Sequence, residues 1–152
     1  MTIFDELGNI YDEIDNTYSR LETQARTRGF NRKEAEYARK RQLNDQSYFL
    51  FMFTRLEDRI RSLSENLIDS KFANLTDWKY KRTWFILHKR KDGIALMDRV
   101  ALLSEINGKD YQLINSYYKQ RNSIGHGGSF TIPINIPTVI NDLKRLYNDL
   151  ED

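Results

Sequence analysis

Residues 31–70 read NRKEAEYARKRQLNDQSYFLFMFTRLEDRIRSLSENLIDS, and their spacing decides the fold class. Phe49, Met52, Phe53, Leu56, Ile60, Leu63 and Leu67 recur at intervals of three and four, the period that gathers side chains on one face of an α-helix. Asn31 is placed to cap this helix, and Glu34, three residues on, to complete a capping box. The spacing predicts a helix running to about Ser70, with a bend near Asn44.

The same period extends outward on both sides. Ile3, Leu7, Ile10, Tyr11, Ile14, Tyr18 and Leu21 predict an amphipathic first helix that reaches the mid-twenties, where Gly29 punctuates it. Thr76 or Asp77 can cap a third helix holding Trp78, Tyr80, Trp84, Phe85, Ile86 and Leu87, ended by Asp92-Gly93. Leu96, Val100 and Leu103 follow, stopped by Asn107-Gly108. A helix from Lys109 or Asp110 turns Leu113, Ile114 and Tyr117 inward and runs into residues 121–128. Pro133 and Pro137 lack backbone donors and bias their predecessors toward extended geometry, so 127–137 is expected to be a loop. A last helix carries Ile140, Leu143, Leu146, Tyr147 and Leu150. No window shows strand alternation. The expected fold is all-α, an antiparallel helical bundle of about five to six helices, as one domain over residues 1–152.

Bulk properties agree with a soluble folded chain. Of the 152 residues, 39% are hydrophobic and 30% charged, a balance unlike that of a disordered tail or a membrane protein. The longest apolar run, Tyr48 to Phe53, is too short to cross a bilayer. The first residues lack the basic and apolar parts of a secretory signal. With no cysteine, disulfides and thiolate catalysis are excluded and a cytoplasmic location is the expectation. Two histidines argue against a structural zinc site. No Walker loop, Gly-rich dinucleotide turn or metalloprotease helix is present, so neither metal nor cofactor is expected. The net charge is only +2, but it is unevenly spread. Acid gathers at Asp5, Glu6, Asp12, Glu13 and Asp15. Base gathers from Arg26 to Arg41 and again at Lys79, Lys81, Arg82, Lys89, Arg90 and Lys91. Such runs are first of all solvated helix faces, and a polyanion groove is their alternative use.

Residues 121–128, Arg-Asn-Ser-Ile-Gly-His-Gly-Gly, combine a fixed cation, a carboxamide and a side chain that moves protons near neutral pH. Arginine forks onto phosphate oxygens and histidine shuttles protons, a pairing suited to phosphodiester chemistry. On an ideal helix Asn122 and His126 share a face, whereas Arg121 and His126 lie about 140° apart around the axis. Convergence requires the arginine stem to reach round or the helix to open near Gly125, where positive φ is tolerated. The same residues also suit a plain helix C-terminus, with arginine near the negative dipole end and glycine ending the turn.

The run Lys119-Gln-Arg-Asn-Ser-Ile-Gly-His-Gly resembles the Arg-Asn-x-x-x-His signature of HEPN domains, commonly followed by glycine. Its setting is similar to the C-terminal half of such a bundle over about residues 94–150. The first ninety residues match only as long amphipathic helices, and Gly125 departs from the alanine or polar residue of many relatives. The resemblance implies metal-independent endoribonuclease activity in toxin-antitoxin, abortive-infection, CRISPR-linked or RNA-processing systems. It implies Arg121 on the scissile phosphate, Asn122 orienting the histidine or the ribose, and His126 transferring protons. It also implies a homodimer in which the Arg121-His126 faces of two chains meet, an RNA substrate and an antitoxin protein as a further partner. The alternative within the resemblance is a catalytically silent helical dimer that binds RNA or a protein. A third reading is a helical adaptor whose motif is only a helix cap.

Tyr118, Lys119, Lys79 and Arg82 are candidate RNA contacts, with Tyr117 packing inward. Core packing is the expectation for Trp78, Tyr80 and Trp84, and a stacking surface for bases is the alternative. His88 is expected to serve a basic helix terminus, and Glu57-Asp58 a solvated face.

Overall fold

The computed structural model describes residues 2–150; residues 1, 151 and 152 of the expected 1–152 domain lie outside the described residues. The fold is all-α, a helical bundle with no strand among the described residues. Its helices are α1 (Ile3–Thr27), α2 (Asn31–Asn74), α3 (Trp78–Lys89), α4 (Leu96–Leu103), α5 (Lys109–Gly125) and α6 (Ile136–Asp149), with a 3-10 turn at Lys91–Gly93. The chain groups into two compact units, Met1–Phe53 with Gln120–Lys144 and Thr54–Lys119 with Arg145–Asp152.

In the first unit α1 and the N-terminal part of α2 form an antiparallel hairpin. Its turn is built by Gly29 at φ 71°, a left-handed conformation that favours glycine. The Gly29 amide donates to the Arg26 carbonyl and the Phe30 amide to that of Ala25, the paired bonds of a Schellman cap. Ion pairs then zip the hairpin from the turn outward: Arg26 to Glu34 at 2.6 Å, and Arg41 to Glu22 at 3.1 Å and to Asp15 at 2.8 Å. Further along, the Tyr11 hydroxyl donates to Asp45 at 2.9 Å, and its ring meets Tyr48 edge-on.

Two expectations about these helices are corrected. The Asn31–Glu34 capping box does not form: the Phe30 carbonyl accepts the first bonds of α2, from Lys33 and Glu34, and the Glu34 carboxylate serves Arg26. A capping box does start α1, between Thr2 and Asp5. On α1 Tyr11 of the expected stripe is buried and Leu7, Ile14, Tyr18 and Leu21 are half-buried, but Ile3 and Ile10 are exposed and Phe4, outside that stripe, is buried.

The α2 stripe holds at Phe49, Met52 and Phe53 in the first unit and at Leu56, Ile60 and Leu63 in the second, all buried; beyond them Ile68 is buried and Leu67 only half-buried. The second unit is organised around Arg99, whose side chain is almost wholly buried. Its guanidinium donates to Ser64 Oγ at 2.9 Å and to the carbonyls of Ile94 and Lys91, and pairs with Glu65 at 3.3 Å. A single side chain thereby ties α4 to α2 and to the 3-10 turn. Asp77 caps α3 as expected, accepting from the Lys79 amide at 2.8 Å. α2 and α3 are also joined through Asp69, which accepts from Lys91 at 2.9 Å and lies 2.9 Å from Nδ1 of His88.

Candidate active site

α5 presents Ile114, Tyr117, Gln120 and Ile124 as buried residues at helical spacing. This packing turns Arg121 and Asn122 to half-buried positions, while His126 stands exposed just past the helix end. The His126 amide still donates to the Asn122 carbonyl, at 3.1 Å, as the last bond of α-helical type. The chain then closes a second Schellman cap: the Gly127 amide donates to Ile124 and the Gly128 amide to Ser123, at 2.9 and 3.0 Å.

Each glycine after the histidine has its own reason. Gly127 sits at φ 82°. At Gly128 a Cβ would lie 2.8 Å from the Ser123 carbonyl oxygen, closer than real side chains come. The helix therefore opens one residue after His126, and the alternative of an opening at Gly125 does not occur. Gly125 remains helical, and the Arg121 side chain runs over it, with Nη1 3.7 Å from the position of a Gly125 Cβ. The arginine stem extends along the helix toward its C-terminal end. The same guanidinium meets Asn122 Oδ1 at 3.5 Å, at the outer limit of a hydrogen bond.

The loop that follows is fastened to the helix. Gln120, only 3% exposed, accepts from the Thr131 amide through Oε1 and donates from Nε2 to Thr131 Oγ1, both at 2.8 Å. Ser123 Oγ donates to the Ser129 carbonyl at 2.7 Å, and Phe130 packs edge-on against Phe49, with ring centres 5.3 Å apart. Buried polar groups are nearly always paired. A glutamine on the inner face, between Tyr117 and Ile124, is thus the sequence signal of this clamp. Asn135 then caps α6 by accepting from the Thr138 amide at 2.9 Å. Pro137 lies inside the first turn of α6 rather than in the loop, where its missing amide leaves no helical bond unmade.

Tyr118 and Lys119 belong to the second unit, as do Lys79 and Arg82. Tyr118 is half-buried; Lys119, Lys79 and Arg82 are exposed. Tyr117 is buried as expected. His88 sits near the end of α3, and beyond a cap it stacks on Phe72 at 4.5 Å while facing Asp69. The carboxyl of Asp69 is held below its usual range by Lys91 and then by His88. The core reading of Trp78 and Tyr80 is overturned: both are more than half exposed, and only Trp84 is half-buried. No cluster of three histidine, aspartate or glutamate side chains that could hold a metal ion occurs among the described residues. Comparison with protein-family models, curated proteins and solved structures finds no match to the chain.

Proposed function

We propose that this chain is a metal-independent endoribonuclease of the HEPN type, acting in a toxin-antitoxin, abortive-infection or other defence setting, with Arg121, Asn122 and His126 as its catalytic residues. The observation that carries this reading is the end of α5: a guanidinium laid along the helix beside Asn122 and toward an exposed imidazole-bearing residue, on a backbone held by two glycines. RNA brings its own nucleophile, so the protein has only to orient it, move protons and stabilise charge. The ribose 2′-oxygen attacks phosphorus as a histidine accepts its proton. The bond from phosphorus to the 5′-oxygen breaks as that oxygen takes up a proton. Arg121 stabilises the charge on the phosphorane oxygens, and Asn122 orients the ribose or the imidazole. The products are 2′,3′-cyclic phosphate and 5′-hydroxyl ends. Acid and base are both needed, and one motif supplies one histidine; in the proposed homodimer the second chain supplies the other. A cognate antitoxin would cover this face.

The test is incubation of the purified protein with single-stranded and structured RNA in EDTA, beside His126→Ala and Arg121→Ala, with end-group mapping. Cleavage by wild type alone, leaving cyclic phosphate ends, is the expected result. Intact RNA with the folded, antitoxin-free wild type would sink the proposal. A second reading, a silent helical dimer that binds RNA or a protein, is favoured by the completeness of the Schellman cap, which accounts for Gly127 and Gly128 without any chemistry.

A further inference from the structure

α3 is a helix with no buried residue, although it carries two tryptophans, a tyrosine and a phenylalanine. Its half-buried side is formed by Lys81, Trp84, Phe85, Leu87 and His88. At about 100° per residue, the opposite side carries Lys79, Arg82, Ile86, Lys89 and Arg90, with Trp78 along one margin. Tyr80 lies at the far margin. Trp78 is 59% exposed, Tyr80 60% and Ile86 53%. No ion pair among the described residues engages Lys79, Arg82, Lys89 or Arg90. α3 itself contains no acid. Asp77, just before it, is engaged with the Lys79 amide, and Asp92 follows it in the 3-10 turn.

We infer that the outward face of α3 is a docking surface for single-stranded RNA, distinct from the residues proposed to cut it. Two features select this occupant. The cations, none of them in an ion pair, form a stripe complementary to a phosphate backbone, although Lys79 rests over the Tyr80 ring and Lys89 over that of Phe85. Trp78, exposed at its margin, offers a flat surface on which an unpaired base stacks. A membrane-binding helix would instead show an unbroken apolar stripe with cations at its edges. Here the cations occupy the middle of the face and Ile86 is the one aliphatic residue among them. The choice of RNA over DNA rests on the endoribonuclease reading, whereas the binding itself does not.

The experiment uses the full chain carrying His126→Ala, so that bound RNA stays intact, and Trp84→Phe, so that Trp78 is the remaining tryptophan. Titration with a twelve-residue oligouridylate should quench its fluorescence. In a fluorescently labelled RNA assay, Trp78→Ala should weaken binding about tenfold. Lys79→Ala and Arg82→Ala should each lower the slope of log affinity against log salt by about 0.7. All three residues are exposed, and an unchanged circular dichroism spectrum would verify the fold. Unchanged affinity in Trp78→Ala, or equal binding of polyglutamate or of phosphatidylserine vesicles, overturns the inference, as does preference for the deoxy oligomer. Loss of cleavage in otherwise wild-type protein with RNA binding retained would defeat the catalytic proposal and leave this one standing.

Discussion

Nη1 of Arg121 lies 3.7 Å from the point that a Cβ on Gly125 would occupy, an ordinary van der Waals separation. Alanine therefore fits at 125 without moving the guanidinium. Because Gly125 is helical, Gly125→Ala should raise stability by about 0.5–1 kcal/mol through the unfolded-state entropy that glycine carries. RNA cleavage should persist. Gly125→Leu, by contrast, fills the path of the arginine and should cut cleavage at least tenfold with helix content unchanged. Urea denaturation and a cleavage assay check both.

Gly127 responds in the opposite direction. Its φ of 82° is one that L side chains rarely adopt, so Gly127→Ala should destabilise by about 1–2 kcal/mol. Chemical denaturation comparing Gly125→Ala with Gly127→Ala should show opposite signs two residues apart; matching signs would mean that the helix does not end at His126.

Gln120 bonds to Thr131 and so holds the loop that follows His126. Gln120→Ala removes every side-chain bond from position 120 to Thr131 and leaves polar groups unpaired, which should cost about 1–3 kcal/mol. Faster amide hydrogen exchange at residues 129–131, with the centre of α2 unaffected, is the specific signature.

Arg99 gathers Ser64, Glu65 and two carbonyls in the second unit. Arg99→Ala strands them and should cost roughly 3 kcal/mol or more. Arg99→Lys keeps the charge but not the planar fork, and should recover only part of that loss. Thermal unfolding of the two variants decides it.

Two carboxylates of the first unit should give pH dependences of opposite sign. The Lys144 ammonium, 2.5 Å away, and then the Thr2 amide hold the Asp5 carboxyl well below its usual range. Its contribution is present above the ordinary carboxylate pKa, about 4, and is lost as pH falls through the lower folded value. The stability gap between wild type and Asp5→Asn should therefore narrow in acid. Burial pushes Asp45 up, opposed by the Tyr11 hydroxyl. The folded state binds that proton more tightly, so the Asp45 contribution is largest at low pH and declines as pH rises through the raised value. Asp45→Asn should lack this decline and gain on wild type between pH 4 and pH 7. Urea midpoints at the two pH values test both signs.

Much of this was legible residue by residue. The α2 stripe, the Gly29 break, the Asp77 cap and the start of α5 near Lys109 follow from local period and turn chemistry, which act within a few residues. Errors came where a local pattern allowed two outcomes. Ile3 and Ile10 fit the α1 stripe by spacing as well as Tyr11 does, yet Phe4 is the residue buried beside Tyr11 and the two isoleucines stay exposed. Asn31 and Glu34 fit a capping box, but Arg26, across the turn, offered Glu34 a charged partner. The Arg121–His126 segment was recognisable by its side chains, while the clamp beneath it was not.

By itself the sequence determined the helices and most of their inward faces, because period, caps and breakers are short-range properties. It also determined that residues 121–128 bring an arginine, an asparagine and a histidine close together along the chain. Only the tertiary structure decided that the arginine passes over Gly125, that Gln120 fastens the loop through Thr131, and that Trp78 and Tyr80 stay in solvent. Each depends on a neighbour brought near by packing or by a turn, and periodicity along one helix carries no information about what stands opposite it.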